Sequence, residues 1–199
     1  MKTYTSFQEL DALGEGLAKK YTGNTHRWNS SCFDIEGFIT DFLKLPILYE
    51  AFAEDDPSKI GFLSDGITPL IVYRAGKKTP IVFPKDTIVI ESFLQRSDES
   101  GRRRFTLAHE AAHFILNRHV PMQTACFHNE YDHEFHYSGE ELAKMFSLNE
   151  TLTNRLGAAV LMPPFLVGRA LKKYNNGQPI VYYTEGVFAP DTKIRLQSM

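Results

Sequence analysis

The chain is poor in cysteine and tryptophan and has no long apolar run. Its 199 residues include two cysteines and one tryptophan. Cys32 and Cys126 are too few for a disulfide scaffold, and their spacing suits neither a zinc knuckle nor a CxxC redox pair, so two structural thiols in a reduced setting are expected. No stretch approaches the roughly 18 consecutive apolar residues that a membrane-spanning helix needs. Met1-Lys2-Thr3-Tyr4 leads into an amphipathic pattern, not into an apolar run with a small-residue cleavage site. The expected location is therefore cytoplasmic. Neither sign of charge dominates, with 22 Lys and Arg against 24 Asp and Glu. The net charge of -2 and pI near 6.4 give no global case for nucleic-acid binding, and none is expected. No linker, repeat or low-complexity segment divides the chain. At 43% hydrophobic it can bury one core, so a single domain over 1–199 is expected.

Hydrophobic spacing organises that domain. Phe7, Leu10, Leu13 and Leu17 recur as on one helix face, and Ile35, Phe38, Ile39, Phe42 and Leu43 mark a second helix. Asp34 is available to cap the second and Pro46 to end it, so residues 1–46 read as amino-terminal helices. Five short runs rich in β-branched and aromatic residues follow, at 47–52, 60–63, 67–73, 81–83 and 88–90. Asp55-Asp56-Pro57-Ser58, Asp65-Gly66 and Ala75-Gly76-Lys77 separate them as turns, which predicts a small antiparallel β-meander over 47–95. Residues 96–174 read as further helices and a loop, and 175–199 as a strand and tail. The fold class is α+β.

His109-Glu110-Ala111-Ala112-His113 carries the chemistry. Phe105, Ala108, Ala112 and Leu116 recur at helical spacing, so a helix spans 103–116, with Ser100 or Asp98 as its N-cap. At 3.6 residues per turn, His109 and His113 stack on one face and can reach one metal ion. Glu110, beside the first histidine, is free to take a proton from a water molecule that the metal acidifies and to pass it to a leaving amine. HExxH on a helix is the pattern of a zinc-dependent peptide hydrolase. Arg102-Arg103-Arg104, at the start of this helix, reads as a solvated patch or a dock for an acidic surface.

Zinc needs a third protein ligand, and two candidates compete. His119 stands at the third-histidine distance of HExxHxxGxxH, but Leu116 replaces the glycine at which that pattern turns; a leucine favours helix continuation, which carries His119 away. Glu150 opens a later helix, capped by Asn149 and ended by Met162-Pro163-Pro164. An acidic residue there also suits the helix dipole alone.

The segment from Glu150 to Pro163 resembles the "ExxANxFAAxLLMP" segment of the ImmA/IrrE metallopeptidase family. Upstream, Arg103-Arg104-Phe105-Thr106-Leu107-Ala108-His109-Glu110-Ala111-Ala112-His113 resembles that family's "RRFTLAHELGH" segment, in the same order. The likeness extends loosely over residues 30 to 170. It implies a small gluzincin-like α+β domain, with zinc held by His109, His113 and Glu150 and with Glu110 as general base. Asn154, one turn after Glu150, would hydrogen-bond a ligand. Ala111-Ala112 stands for Leu-Gly, Thr153 for Ala and Leu156 for Phe. The 36 residues between His113 and Glu150 are a long connection, with a histidine-rich and aromatic loop as the excess.

A peptidase also needs a group to hold the oxyanion, for which Tyr131, Tyr137, His128, His133 and His136 are candidates. The family likeness implies an endopeptidase that cuts a specific protein partner, such as a helix-turn-helix repressor of mobile-element or stress-response genes. No helix-turn-helix pattern precedes the peptidase segment, so the repressor would be a separate chain. The rival expectations are a zinc-containing binding or sensor module, or a toxin-like partner, acting by contact without proteolysis.

Overall fold

The computed structural model describes residues 6–25, 32–118, 126–129 and 148–175. Helix α1 (Phe7–Asn24) starts at a capping box that the apolar spacing alone does not reveal. Ser6 Oγ accepts from the Glu9 N–H at 3.3 Å, and the Glu9 carboxylate accepts from the Ser6 N–H at 2.9 Å. Asp34 caps α2 (Ile35–Gly37) as expected, accepting from the Gly37 N–H at 3.0 Å. The second helix does not stay α-helical to its end; it widens into a π-helical segment, Phe38–Leu43, and stops at Lys44, whose φ is 63°. The wider turn accompanies a face-to-face stack of Phe38 and Phe42 at 5.3 Å, with the Tyr21 ring edge-on to both.

The strands are β1 (Ile47–Glu50), β2 (Lys59–Leu63), β3 (Leu70–Arg74), β4 (Lys77–Ile81), β5 (Ile88–Glu91) and β6 (Cys126–Asn129). The α+β class holds, but the sequence-order meander is corrected. Four strands form a mixed sheet in the order β1-β5-β2-β6, in which β1 runs parallel to β5 and β2 is antiparallel to both β5 and β6. Strands β3 and β4 make a separate hairpin whose turn residues, Ala75 and Gly76, both have positive φ. The physical reason lies in β5. Ile88, Val89 and Ile90 are all fully buried, so this strand needs cover on both faces and takes an inner place in the sheet.

Alternation along β5 assigns the two faces. Ile88 and Ile90 join the main core with Leu107, Ala111 and Leu156, while Val89 joins Phe62, Leu70, Val72 and Phe83 in a smaller core under the hairpin. Glu54 and Glu91 tie the hairpin side down through backbone groups, accepting from the Ile71 N–H at 2.8 Å and the Phe52 N–H at 2.7 Å.

Helix α3 (Ser100–Asn117) covers the other face of the sheet. Neither Ser100 nor Asp98 caps it. The 3-10 turn Ser97–Glu99 runs directly into α3, so Ser100 is already helical and Glu99 takes the cap position without a side-chain bond. Arg102 is exposed, as a solvated patch requires, but Arg103 and Arg104 are half-buried and all three have partners. Arg102 pairs with Glu99 at 3.1 Å and lies over the Phe93 ring, Arg103 meets Glu36 at 3.3 Å, and Arg104 donates to the Phe33 carbonyl at 2.7 Å. They fasten α3 to the segments around it. Cys32, expected to be structural, is exposed.

Helix α4 (Leu148–Leu161) includes Asn149 inside the helix and not at its cap, and it packs against both α1 and α3. Met162 and Pro163 separate it from α5 (Pro164–Asn175), whose first position suits proline because that N–H has no helical partner. Among the described residues no helix is long and apolar enough to cross a membrane. The expected short helix before α4 and the carboxy-terminal strand lie outside the described residues.

Candidate metal centre

The site forms where one face of α3 meets one face of α4. On α3, His109 and His113 are one turn apart and both fully buried, with ring centroids 4.6 Å apart. On α4, Glu150 points between them. Its Oε2 lies 3.2 Å from His109 Nε2, and its Oε1 lies 3.4 Å from His113 Nε2. The structure thus brings His109, His113 and Glu150 together, with their donor atoms all within 4.8 Å of one another.

Those spacings fit one ion. Ligands at about 2.0–2.1 Å in tetrahedral array stand about 3.3–3.4 Å from each other, which is close to both imidazole–carboxylate distances. The electrostatic state fits as well. Burial holds the His113 imidazole below its ordinary value, which favours the neutral ring that a metal needs. Burial also pushes the Glu150 carboxyl up, but the two imidazoles facing it more than offset this and bring it down to about 2, so it is ionised.

Both imidazoles are held from behind. If each Nε2 is to face an ion with its lone pair, each Nδ1 must carry the proton. His109 Nδ1 then donates to Asn154 Oδ1 at 2.8 Å, the contact expected of Asn154. His113 Nδ1 lies 3.3 Å from Thr153 Oγ1. Glu150, Thr153 and Asn154 occupy positions i, i+3 and i+4 of α4, so they share the face turned to α3.

Glu110 sits beside the donor cluster, fully buried, and neither of its oxygens has a hydrogen-bond partner among the described residues. Burial, with the nearby negative charge of Glu150 added, pushes its carboxyl well above the ordinary range. A buried carboxyl without partners is costly and is retained where chemistry uses it. Its room comes from a residue that the motifs did not mark. A Cβ on Gly61 of β2 would stand 2.5 Å from Glu110 Oε1 and 2.8 Å from Thr106 Cγ2, so only glycine lets the strand pass this close to the carboxylate. The signal was a glycine inside a strand pattern, which marks a close approach.

Helix α3 continues through Leu116 to Asn117 without the turn that a glycine at 116 would provide. His119 itself lies outside the described residues, as do Tyr131, Tyr137, His133 and His136. His128 falls on β6, opposite Gly61, and its side chain is not described.

Comparison with curated proteins and with solved structures returned no match. Residues 89–178, from β5 through both motif-bearing helices, match the family model Peptidase_M78, the IrrE N-terminal-like domain, and so the resemblance of the two motifs to the ImmA/IrrE metallopeptidase family is borne out over this segment.

Proposed function

We propose that the protein is a zinc-dependent endopeptidase that cleaves a specific protein partner in the cytoplasm, a separate helix-turn-helix repressor chain being the candidate substrate. The observation that carries this reading is the convergence of His109, His113 and Glu150 within 4.8 Å, with the buried Glu110 carboxyl, which has no hydrogen-bond partner among the described residues, beside them. His109, His113 and Glu150 would hold the metal, and two imidazoles with one carboxylate suit zinc, although manganese and cobalt accept the same donors. The bound metal would supply Lewis-acid polarisation of the scissile carbonyl and acidify a water molecule. Glu110 takes the proton released at its carboxylate and delivers it to the departing amine, a role that suits a carboxyl whose proton affinity burial has raised. Asn154 keeps the His109 imidazole aimed during that exchange.

The test pairs metal content with cleavage. Wild type should purify with about one zinc per chain and cut a co-encoded repressor at one site, read by mass spectrometry. Glu110→Gln should keep the zinc and lose cleavage by at least about 100-fold. Residual cutting by Glu110→Gln would remove Glu110 from its role. Wild type that silences a repressor stoichiometrically and leaves it intact would replace the peptidase with a binding, sensor or toxin-like module.

A further inference from the structure

We infer that Thr153 is a positioning residue for the metal centre: its hydroxyl fixes the tautomer and aim of His113, as Asn154 does for His109. This rests on the metal reading above. Thr153 brings a hydroxyl to the face of α4 that is turned to α3. Thr153 is fully buried, its Oγ1 stands 3.3 Å from His113 Nδ1, and it has no place among the buried polar atoms that lack a partner.

The geometry leaves the hydroxyl one productive role toward that ring. With His113 Nε2 turned to Glu150 Oε1 at 3.4 Å, the proton of the neutral imidazole belongs on Nδ1, where Thr153 Oγ1 accepts it. Thr153 and Asn154 are neighbours on α4, and their partners are one turn apart on α3. Two adjacent residues of one helix therefore orient both histidine ligands, three and four positions after the helix has supplied Glu150. Partners of this kind, behind a metal-bound histidine, typically carry a 10- to 100-fold share of metal affinity.

The experiment is a zinc competition titration of the full chain, wild type against Thr153→Val, Thr153→Ala and Thr153→Ser, with circular dichroism and thermal melts of the zinc-free forms. Valine keeps the volume and removes the hydroxyl, alanine removes hydroxyl and methyl together, and serine restores the oxygen. Zinc affinity should fall about 10- to 100-fold in Thr153→Val and Thr153→Ala and recover in Thr153→Ser, with the zinc-free folds alike. Nitrogen-15 spectra of the zinc forms should show the His113 Nδ1–H shift altered in the first two and restored in the third. Unchanged affinity in both alanine and valine variants overturns the role of Thr153 and leaves the metal site standing. No zinc binding by wild type removes the metal site and this inference together.

Discussion

Glu110 shows how one buried group links stability to chemistry. Its carboxyl is raised because burial, helped by Glu150, disfavours the charge. Below the ordinary carboxyl value of 4.5 it is protonated whether the chain is folded or not, so it costs nothing there. As pH rises past that value the unfolded carboxyl ionises and the folded one resists, so the unfolded chain releases a proton first and stability declines. Glutamine cannot ionise. In chelator-treated protein, Glu110→Gln should therefore match wild type near pH 4.5 and become the more stable form as pH rises to 8, measured by urea denaturation at each pH. A stability gap that does not change with pH would show that the carboxyl is not carrying this penalty. Gly61 belongs to the same scale, since its missing Cβ gives the Glu110 carboxyl its space.

At the scale of elements, α4, the helix that carries Glu150, is held between α3 and α1. Its contact with α1 runs through Gly14, where an added Cβ would meet Ala159 Cβ at 2.6 Å, while one on Gly16, two residues on, meets nothing. Helix propensity alone would favour alanine at both positions by about 0.5–1 kcal/mol. Packing reverses the sign at one of them. Gly16→Ala should stabilise by that amount, whereas Gly14→Ala should destabilise by about 1–3 kcal/mol through overpacking, as read from denaturant midpoints. Equal shifts in the two variants would mean that α1 does not bear on α4 as described. This contact could not be read in the sequence, because a glycine among Leu10, Leu13 and Leu17 announces only a weak point in a helix, and its partner lies 145 residues away. What could be read was local. Asp34 at its cap, the Ala75-Gly76 turn and the helix around His109 follow from neighbours in the chain, whereas the parallel pairing of β1 with β5 follows from the burial of β5 on both faces, which no neighbour encodes.

In the molecule as a whole, the candidate metal site is the place where two distant stretches of chain meet. His109 and His113 belong to the helix that lies on the sheet, and Glu150 to a helix wedged between that helix and α1. The chemical identity of the three residues was legible because HExxH fixes two of them by period and the "ExxAN"-like segment fixes the third by register. The support around them was not, because the hydroxyl of Thr153 reads as an ordinary helix-tolerant exchange until the fold turns it toward His113. Since an ion at this site binds the folded chain and finds no assembled site in the unfolded one, it should stabilise by mass action, about 2.7 kcal/mol at a hundredfold excess of free zinc over Kd. For a chain of this size each kcal/mol moves Tm by about 2–4 °C, so zinc should raise the melting temperature of chelated protein by about 5–10 °C. Glu150→Gln, which removes the only ligand on α4 among the described residues, should lose most of that shift, and Asp11→Ala, which breaks an exposed ion pair with Arg155 on the far side of the same helix, should keep it. A melting temperature indifferent to zinc in wild type would mean that the two helices are not joined through a metal, and the peptidase reading would go with it.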